Sequence, residues 1–121
     1  MRKTIFDTFT ARAENNTQEA ILWLLKDSDY FHRVTRGELV DKLHMKDRSI
    51  REQIERMRRN GIFIAGDMDV AGYFIPQSMD EYLTFEAKYS GRALTTLYNK
   101  GQMHNLAAEL FSGQTKMEVN I

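Results

Sequence analysis

A mainly α-helical fold with a small β-hairpin and a long C-terminal helical extension is what this sequence predicts, and three observations carry the prediction. Asn16 with Glu19, Thr35 with Glu38, and Ser78 with Glu81 each place a small polar residue three positions before a glutamate. In that arrangement the small side chain caps the first turn of a helix while the glutamate reaches back to the cap's own amide. Apolar residues follow each start at helical spacing. Between residues 62 and 75 the period changes: two aromatic and β-branched runs flank a segment rich in Gly and Asp, the pattern of a hairpin.

The elements follow in order. Residues 1–16 form an N-terminal arm. In residues 17–27, Ala20, Ile21, Leu24 and Leu25 share one face with Trp23 at its edge, which predicts an amphipathic helix. Residues 30–34 suit a short strand. After Thr35, the spacing of Leu39, Val40 and Leu43 predicts a helix of about two turns. Asp47 is a suitable cap for the next helix, which buries Ile50, Ile54 and Met57 and ends at Asn60-Gly61, where glycine can turn left-handed. Residues 62–65 and 72–75 are the two strands of the hairpin, and Pro76 stops the second. From Ser78 a long helix carries Met79, Leu83, Ala87, Leu94 and Leu97 as far as Asn99, weakened at Gly91. Past Gly101, the spacing of Met103, Leu106, Ala107, Leu110 and Phe111 predicts one more short helix. The domain is thus expected at 17–76, a C-terminal helical extension at 77–111, and a loose tail at 112–121.

With 121 residues, 42% of them hydrophobic, the chain can build one modest core. It has no cysteine, which removes disulfides and thiolate zinc sites, and its seven methionines are apolar filler. No apolar run has the length of a signal peptide or a membrane span, so a cytoplasmic protein without a membrane partner is expected. Formal net charge is zero, but it is unevenly placed. Residues 1–31 carry four Lys/Arg and five Asp/Glu, residues 32–60 nine and five, and residues 61–121 four and seven. A basic middle between acidic ends is suited to a nucleic-acid-reading element on a neutral scaffold. His32, His44 and His104 lack metal-ligand spacing, no glycine-rich loop leads into a helix as a phosphate cradle would, and no serine has a base partner. Neither an enzyme nor a bound cofactor or metal is expected.

Helix, short strand, helix, tight turn, helix, hairpin occupies about two thirds of the chain. Val34-Thr35-Arg36-Gly37-Glu38-Leu39-Val40, Asp47-Arg48-Ser49-Ile50-Arg51-Glu52-Gln53-Ile54 and Arg58-Arg59-Asn60-Gly61-Ile62 resemble the winged helix-turn-helix family. Gly72-Tyr73-Phe74, followed by an acidic capped helix and Ser90-Gly91-Arg92-Ala93-Leu94, is similar to small winged-helix proteins encoded by bacteriophages. The resemblance implies sequence-specific binding of double-stranded DNA by a transcription regulator or replication-origin binder in the cytoplasm of a bacterial host. It further implies that Arg48, Ser49, Arg51 and Glu52 face base edges, while Thr35, Lys46, Arg58 and Arg59 contact phosphates. The hairpin tip departs from the family, since Asp67-Met68-Asp69 would repel the backbone of DNA.

Two further expectations stand beside this one. Arg48 with Glu52, Arg51 with Glu55, Glu52 with Arg56 and Glu55 with Arg59 are four-residue pairs that also suit an ordinary solvated helix. With the neutral charge and acidic hairpin tip, they leave open a protein-interaction module acting on a replication or transcription component. Leu83, Leu94, Leu97, Tyr98, Leu106 and Leu110 of the C-terminal helices are the expected homodimer surface, which would place two recognition helices on adjacent half-sites.

Overall fold

Among the described residues six helices form: α1 (Arg2–Arg12), α2 (Asn16–Leu25), α3 (Arg36–Leu43), α4 (Asp47–Arg59), α5 (Met79–Lys88) and α6 (Ala93–Leu110). The computed structural model describes residues 2–66, 72–89 and 93–112, leaving out the side chains of 2–4 and 93–95. No described helix is long and apolar enough to cross a membrane.

The helix starts follow the capping chemistry, with two shifts of one residue. Thr35 and Glu38 make the full reciprocal box at the start of α3, and the Ser78 hydroxyl accepts from the Glu81 amide at α5. At α2 the cap is Asn15, one residue before Asn16, and its side chain accepts from the Gln18 amide at 2.9 Å. At α4 the cap position falls to Lys46, which makes no side-chain cap bond, and Asp47 becomes the first helical residue. α3 ends on His44 in the left-handed conformation (φ 56°). Three residues, 44–46, therefore separate α3 from α4, the connection length of a helix-turn-helix.

One apolar cluster draws on all six helices. Ile5 and Phe9 of α1, Ile21, Leu22 and Leu25 of α2, Leu39 of α3 and Ile50, Ile54 and Met57 of α4 are all buried in it. Phe63 sits at its centre, with ring centroids 4.7 Å from Phe9, 5.3 Å from Tyr82 and 5.8 Å from Phe111. The arm expected at 1–16 is thus a helix that supplies core, and the segment expected to be an extension, 77–111, closes the other side of the same core with Tyr82, Phe85, Met103, Leu106, Ala107 and Phe111.

The hairpin is not formed. No strand occurs among the described residues, and two isolated antiparallel bridges, Val34 with Tyr73 and Ala65 with Phe74, are the pairing that remains. This overturns the fold class of a helix-turn-helix with a β-wing; the mainly helical part stands. The cause is local. The Ile62 amide bonds back to the Met57 carbonyl and the Ile64 amide to the Ile62 carbonyl, so residues 62–64 coil against the end of α4 instead of extending. Ile62, Phe63, Ile64 and Ala65 are all buried, whereas a hairpin strand with one wet face would alternate. The expected strand at 30–34 likewise reduces to Val34, because residues 29–32 close a tight turn through paired Asp29–His32 backbone bonds. The acidic tip, Asp67-Met68-Asp69, lies outside the described residues.

The long helix expected from Ser78 to Asn99 is also corrected. α5 stops at Lys88, Tyr89 is extended, and α6 returns so that Tyr89 meets Asn99 and Glu86 meets His104. α6 then runs unbroken through Gly101, where an added Cβ would find open space. Gly61, by contrast, cannot be replaced without strain. Its φ is +88°, and a Cβ would lie 3.2 Å from both the Arg12 guanidinium and the Gln102 carbonyl of α6.

Because Phe63 joins three aromatic partners from three separate segments, Phe63→Ala should destabilise the protein by about 3–5 kcal/mol. Urea denaturation followed by far-ultraviolet circular dichroism measures this, and a loss below 1 kcal/mol would count against the packing.

Candidate nucleic-acid interface

α2, α3 and α4 pack on one another, and polar bonds fix where α4 lies. Gln53 of α4 accepts from the side-chain amides of Gln18 (3.0 Å) and Asn15 (3.4 Å), and Arg12 of α1 donates to the Asn60 carbonyl at 2.9 Å. Gln18 is fully buried, so its bond is part of the packing.

The other flank of α4 is closed by a buried polar cluster. Arg58 is 7% exposed. Its Nε and Nη2 donate to the Ile64 carbonyl at 3.0 and 2.7 Å, and its Nη1 donates to Glu55 at 2.6 Å. The guanidinium lies about 5 Å from the ring centres of Phe85 and Tyr89. Glu55 in turn accepts from the Tyr89 hydroxyl at 2.7 Å and the Asn99 amide at 3.4 Å. Burial raises the pKa of Tyr89, the Asn99 hydrogen bond opposes this, and the Glu55 carboxylate adds to it. Asn99 is fully buried, and its Oδ1 has no partner among the described residues.

Two expectations for α4 are affected, one of them a site assignment. Arg58, expected to contact phosphate, is an internal residue that cannot reach DNA while these bonds hold. Glu55, expected to pair with Arg51 and Arg59, instead bonds Arg58, Tyr89 and Asn99.

What remains outward on α4 keeps the helix's excess of arginine over acid. Arg48, Arg51, Arg56 and Arg59 are exposed, beside the exposed Glu52 and the part-exposed Asp47 and Glu55. Arg48 is 83% exposed, with Glu52 3.7 Å from its Nε. Ser49 is half-buried on the adjoining side, and Lys46 is exposed at the turn. Thr35 serves as the α3 cap, its hydroxyl accepting from the Glu38 amide at 3.1 Å. Arg59 lines a shallow hollow with Arg12, Glu14, Asn60, Tyr98 and Gln102.

No family model matches the chain, and no curated protein and no solved structure is similar to it. Function is therefore argued from the surface itself.

Sequence reasoning missed Arg36 and the part played by Asp47. Arg36 is the first residue of α3, and its Nη1 lies 3.5 Å from Asp47 Oδ2, the same oxygen that Arg51 Nε approaches to 3.0 Å. The signal was present in the four-residue spacing of Asp47 and Arg51; the cap role assigned to Asp47 obscured it. The expected dimer residues divide. Leu83, Leu97 and Tyr98 are exposed, Leu106 is in the core, Leu110 is partly buried against it, and the Leu94 side chain lies outside the described residues. Among the described residues no group of three or more His, Asp or Glu is placed to hold a metal ion.

Arg58→Ala should destabilise the fold by about 3 kcal/mol, because it strands the Ile64 carbonyl and empties the space against Phe85 and Tyr89. Arg56→Ala should change stability by less than about 0.5 kcal/mol. Equal melting temperatures for the two variants would show that Arg58 is not the internal residue described.

Proposed function

We propose that this chain binds double-stranded DNA sequence-specifically through α3 and α4, as a transcription regulator or replication-origin binder. The supporting observation is the sorting of charge on α4. Of its three carboxylates Glu55 is paired with the buried Arg58, which leaves four exposed arginines facing Glu52 and Asp47. The length of the turn from α3 to α4 and the mutual packing of α2, α3 and α4 support the helix-turn-helix geometry, in which the second helix enters the major groove. Arg48, Ser49 and Arg51, on the first turns, are the residues for base edges. Arginine suits them because its planar fork matches guanine O6 and N7. Lys46, Arg56, Arg59 and Arg36 surround them as phosphate contacts.

A protein surface accompanies this reading. Leu97 and Tyr98 of α6 are 68% and 56% exposed, and Leu83 of α5 is 41% exposed. Their exposure supports a homodimer, whose two α4 helices would share one duplex. Leu97→Asp should then lower the mass measured by light scattering from that of a dimer to that of a monomer with the melting temperature retained. A wild-type monomer at all concentrations removes the dimer from the proposal.

Fluorescence anisotropy with duplexes selected from a random library tests the DNA reading. Arg51→Ala should weaken the selected site by about 1–3 kcal/mol and flatten discrimination at one base pair, whereas Arg59→Ala should weaken all sequences alike and reduce the salt slope by about one. Absence of duplex binding at low salt would end the proposal. Retention of a protein from nuclease-treated lysate by a chain without DNA affinity would favour the interaction module instead.

A further inference from the structure

Asp47 stands where an acid is least expected on a surface for polyanions. It occupies the first turn of α4, between Arg36 and Arg51, and its Oδ2 is 3.0 Å from Arg51 Nε and 3.5 Å from Arg36 Nη1. The carboxylate side chain is 41% exposed and Arg51 55%, so both remain at the surface. A guanidinium offers one Nε–H and two terminal amino groups. The Arg51 guanidinium makes this ion pair through Nε and has no hydrogen-bond partner for its two terminal groups among the described residues. Arg48 differs: its Nε lies 3.7 Å from Glu52, beyond hydrogen-bond reach. Of the two arginines on the first turns, Arg51 is therefore the one held closer to a carboxylate. Arg36 approaches the same carboxylate oxygen from α3, so the position of Arg51 is set across the helix-turn-helix turn.

We infer that Asp47 is a positioning residue that presents the Arg51 fork to a guanine, and that the duplex site of this chain contains a guanine whose O6 and N7 accept from Arg51. The inference rests on the DNA reading above and narrows its ligand to a guanine-bearing major groove. Holding the fork before binding reduces the rotamer entropy lost on contact, which favours the base that matches the fork over bases that do not. A carboxylate beside phosphates also opposes non-specific binding. Asp47 therefore raises discrimination by two routes, only one of which raises affinity.

The alternative role for Asp47 is stabilisation of the helix N-terminus, where a negative charge interacts favourably with the dipole. That role affects folding and leaves the ratio of specific to random binding unmoved. The test is that ratio, measured by anisotropy on wild type, Asp47→Ala, Arg51→Lys and the double variant, each with its melting temperature. Asp47→Ala should lower affinity for the selected site about tenfold while affinity for random duplex stays the same or rises. Arg51→Lys keeps the charge but loses the fork, so it should lose the guanine preference, and Asp47→Ala should add nothing to it. Replacing the read guanine by 7-deazaguanine should weaken wild type by about tenfold and leave Arg51→Lys unchanged, a measurement that requires no variant of Asp47 to fold.

A selected site without a guanine preference, or a 7-deazaguanine duplex bound as tightly as the parent, overturns the inference. So does a cognate-to-random ratio unchanged by Asp47→Ala in a protein that does select a site; in each of these cases the DNA reading survives. If wild type shows no preference among duplexes, the DNA reading fails and this inference fails with it.

Discussion

A buried guanidinium must satisfy its donors inside the protein or carry the full penalty of desolvation. Arg58 meets this demand with the Ile64 carbonyl and Glu55, and it does so against the rings of Phe85 and Tyr89. Those partners belong to four segments: α4 itself, the coil after it, α5, and the bend that follows α5. Remove the charge and each segment loses the group that aligns it with the others. The fold of the C-terminal half is set by this demand as much as by the apolar core. α5 must stop at Lys88 for Tyr89 to reach Glu55, and α6 must return for Asn99 to reach the same carboxylate.

The same interaction explains why residues 62–65 are not a strand. An Ile64 carbonyl already accepting two bonds from Arg58 is not available to a ladder, and the amides of Ile62 and Ile64 are turned back on the chain. Ala65 is the first residue beyond this coil, and it is the one that pairs, with Phe74. The following residue on that side, Tyr73, turns its backbone the other way to pair with Val34. Segment 72–74 thus bridges two places in the chain instead of folding against one partner strand.

The helix starts and the core face of α4 were legible because caps and apolar spacing are local chemistry. Thr35, Ser78, Ile50, Ile54 and Met57 have the environments that spacing alone predicts. What was not legible depends on distant partners. Arg58 sits on the flank of α4 in any helical projection, and its burial follows from Phe85 and Tyr89, residues far along the chain. α1 has no acid in its first turn and no cap signature, so its helix is evident only once Ile5 and Phe9 have a core to enter. Alternation at 62–65 could not be judged from sequence, since a continuous apolar run fits a strand and a buried coil equally. Among the site residues, Arg48, Arg51 and Arg59 were placed on the outer face by spacing, and they are exposed. Asp47 was assigned to the wrong local role because a good cap residue is not always the cap.

Depth sorts the charges of α4 into two groups with different energetics. The Arg58–Glu55 pair is short and Arg58 is almost enclosed, though the Glu55 side chain is 46% exposed, so breaking it would leave the buried guanidinium without its counter-charge. The Arg48–Glu52 contact is long and solvated at both ends, and such pairs contribute at most about 1 kcal/mol. A phosphate or base edge could therefore take the outer arginines from their partners with little opposing energy, while the inner pair keeps the helix in place. Asp47 lies between these limits: its ion pair with Arg51 is shorter than that of Arg48 with Glu52, yet both side chains of the pair are part-exposed. Stability and recognition thus draw on different arginines of one helix, and only the outer set is open to exchange its partners.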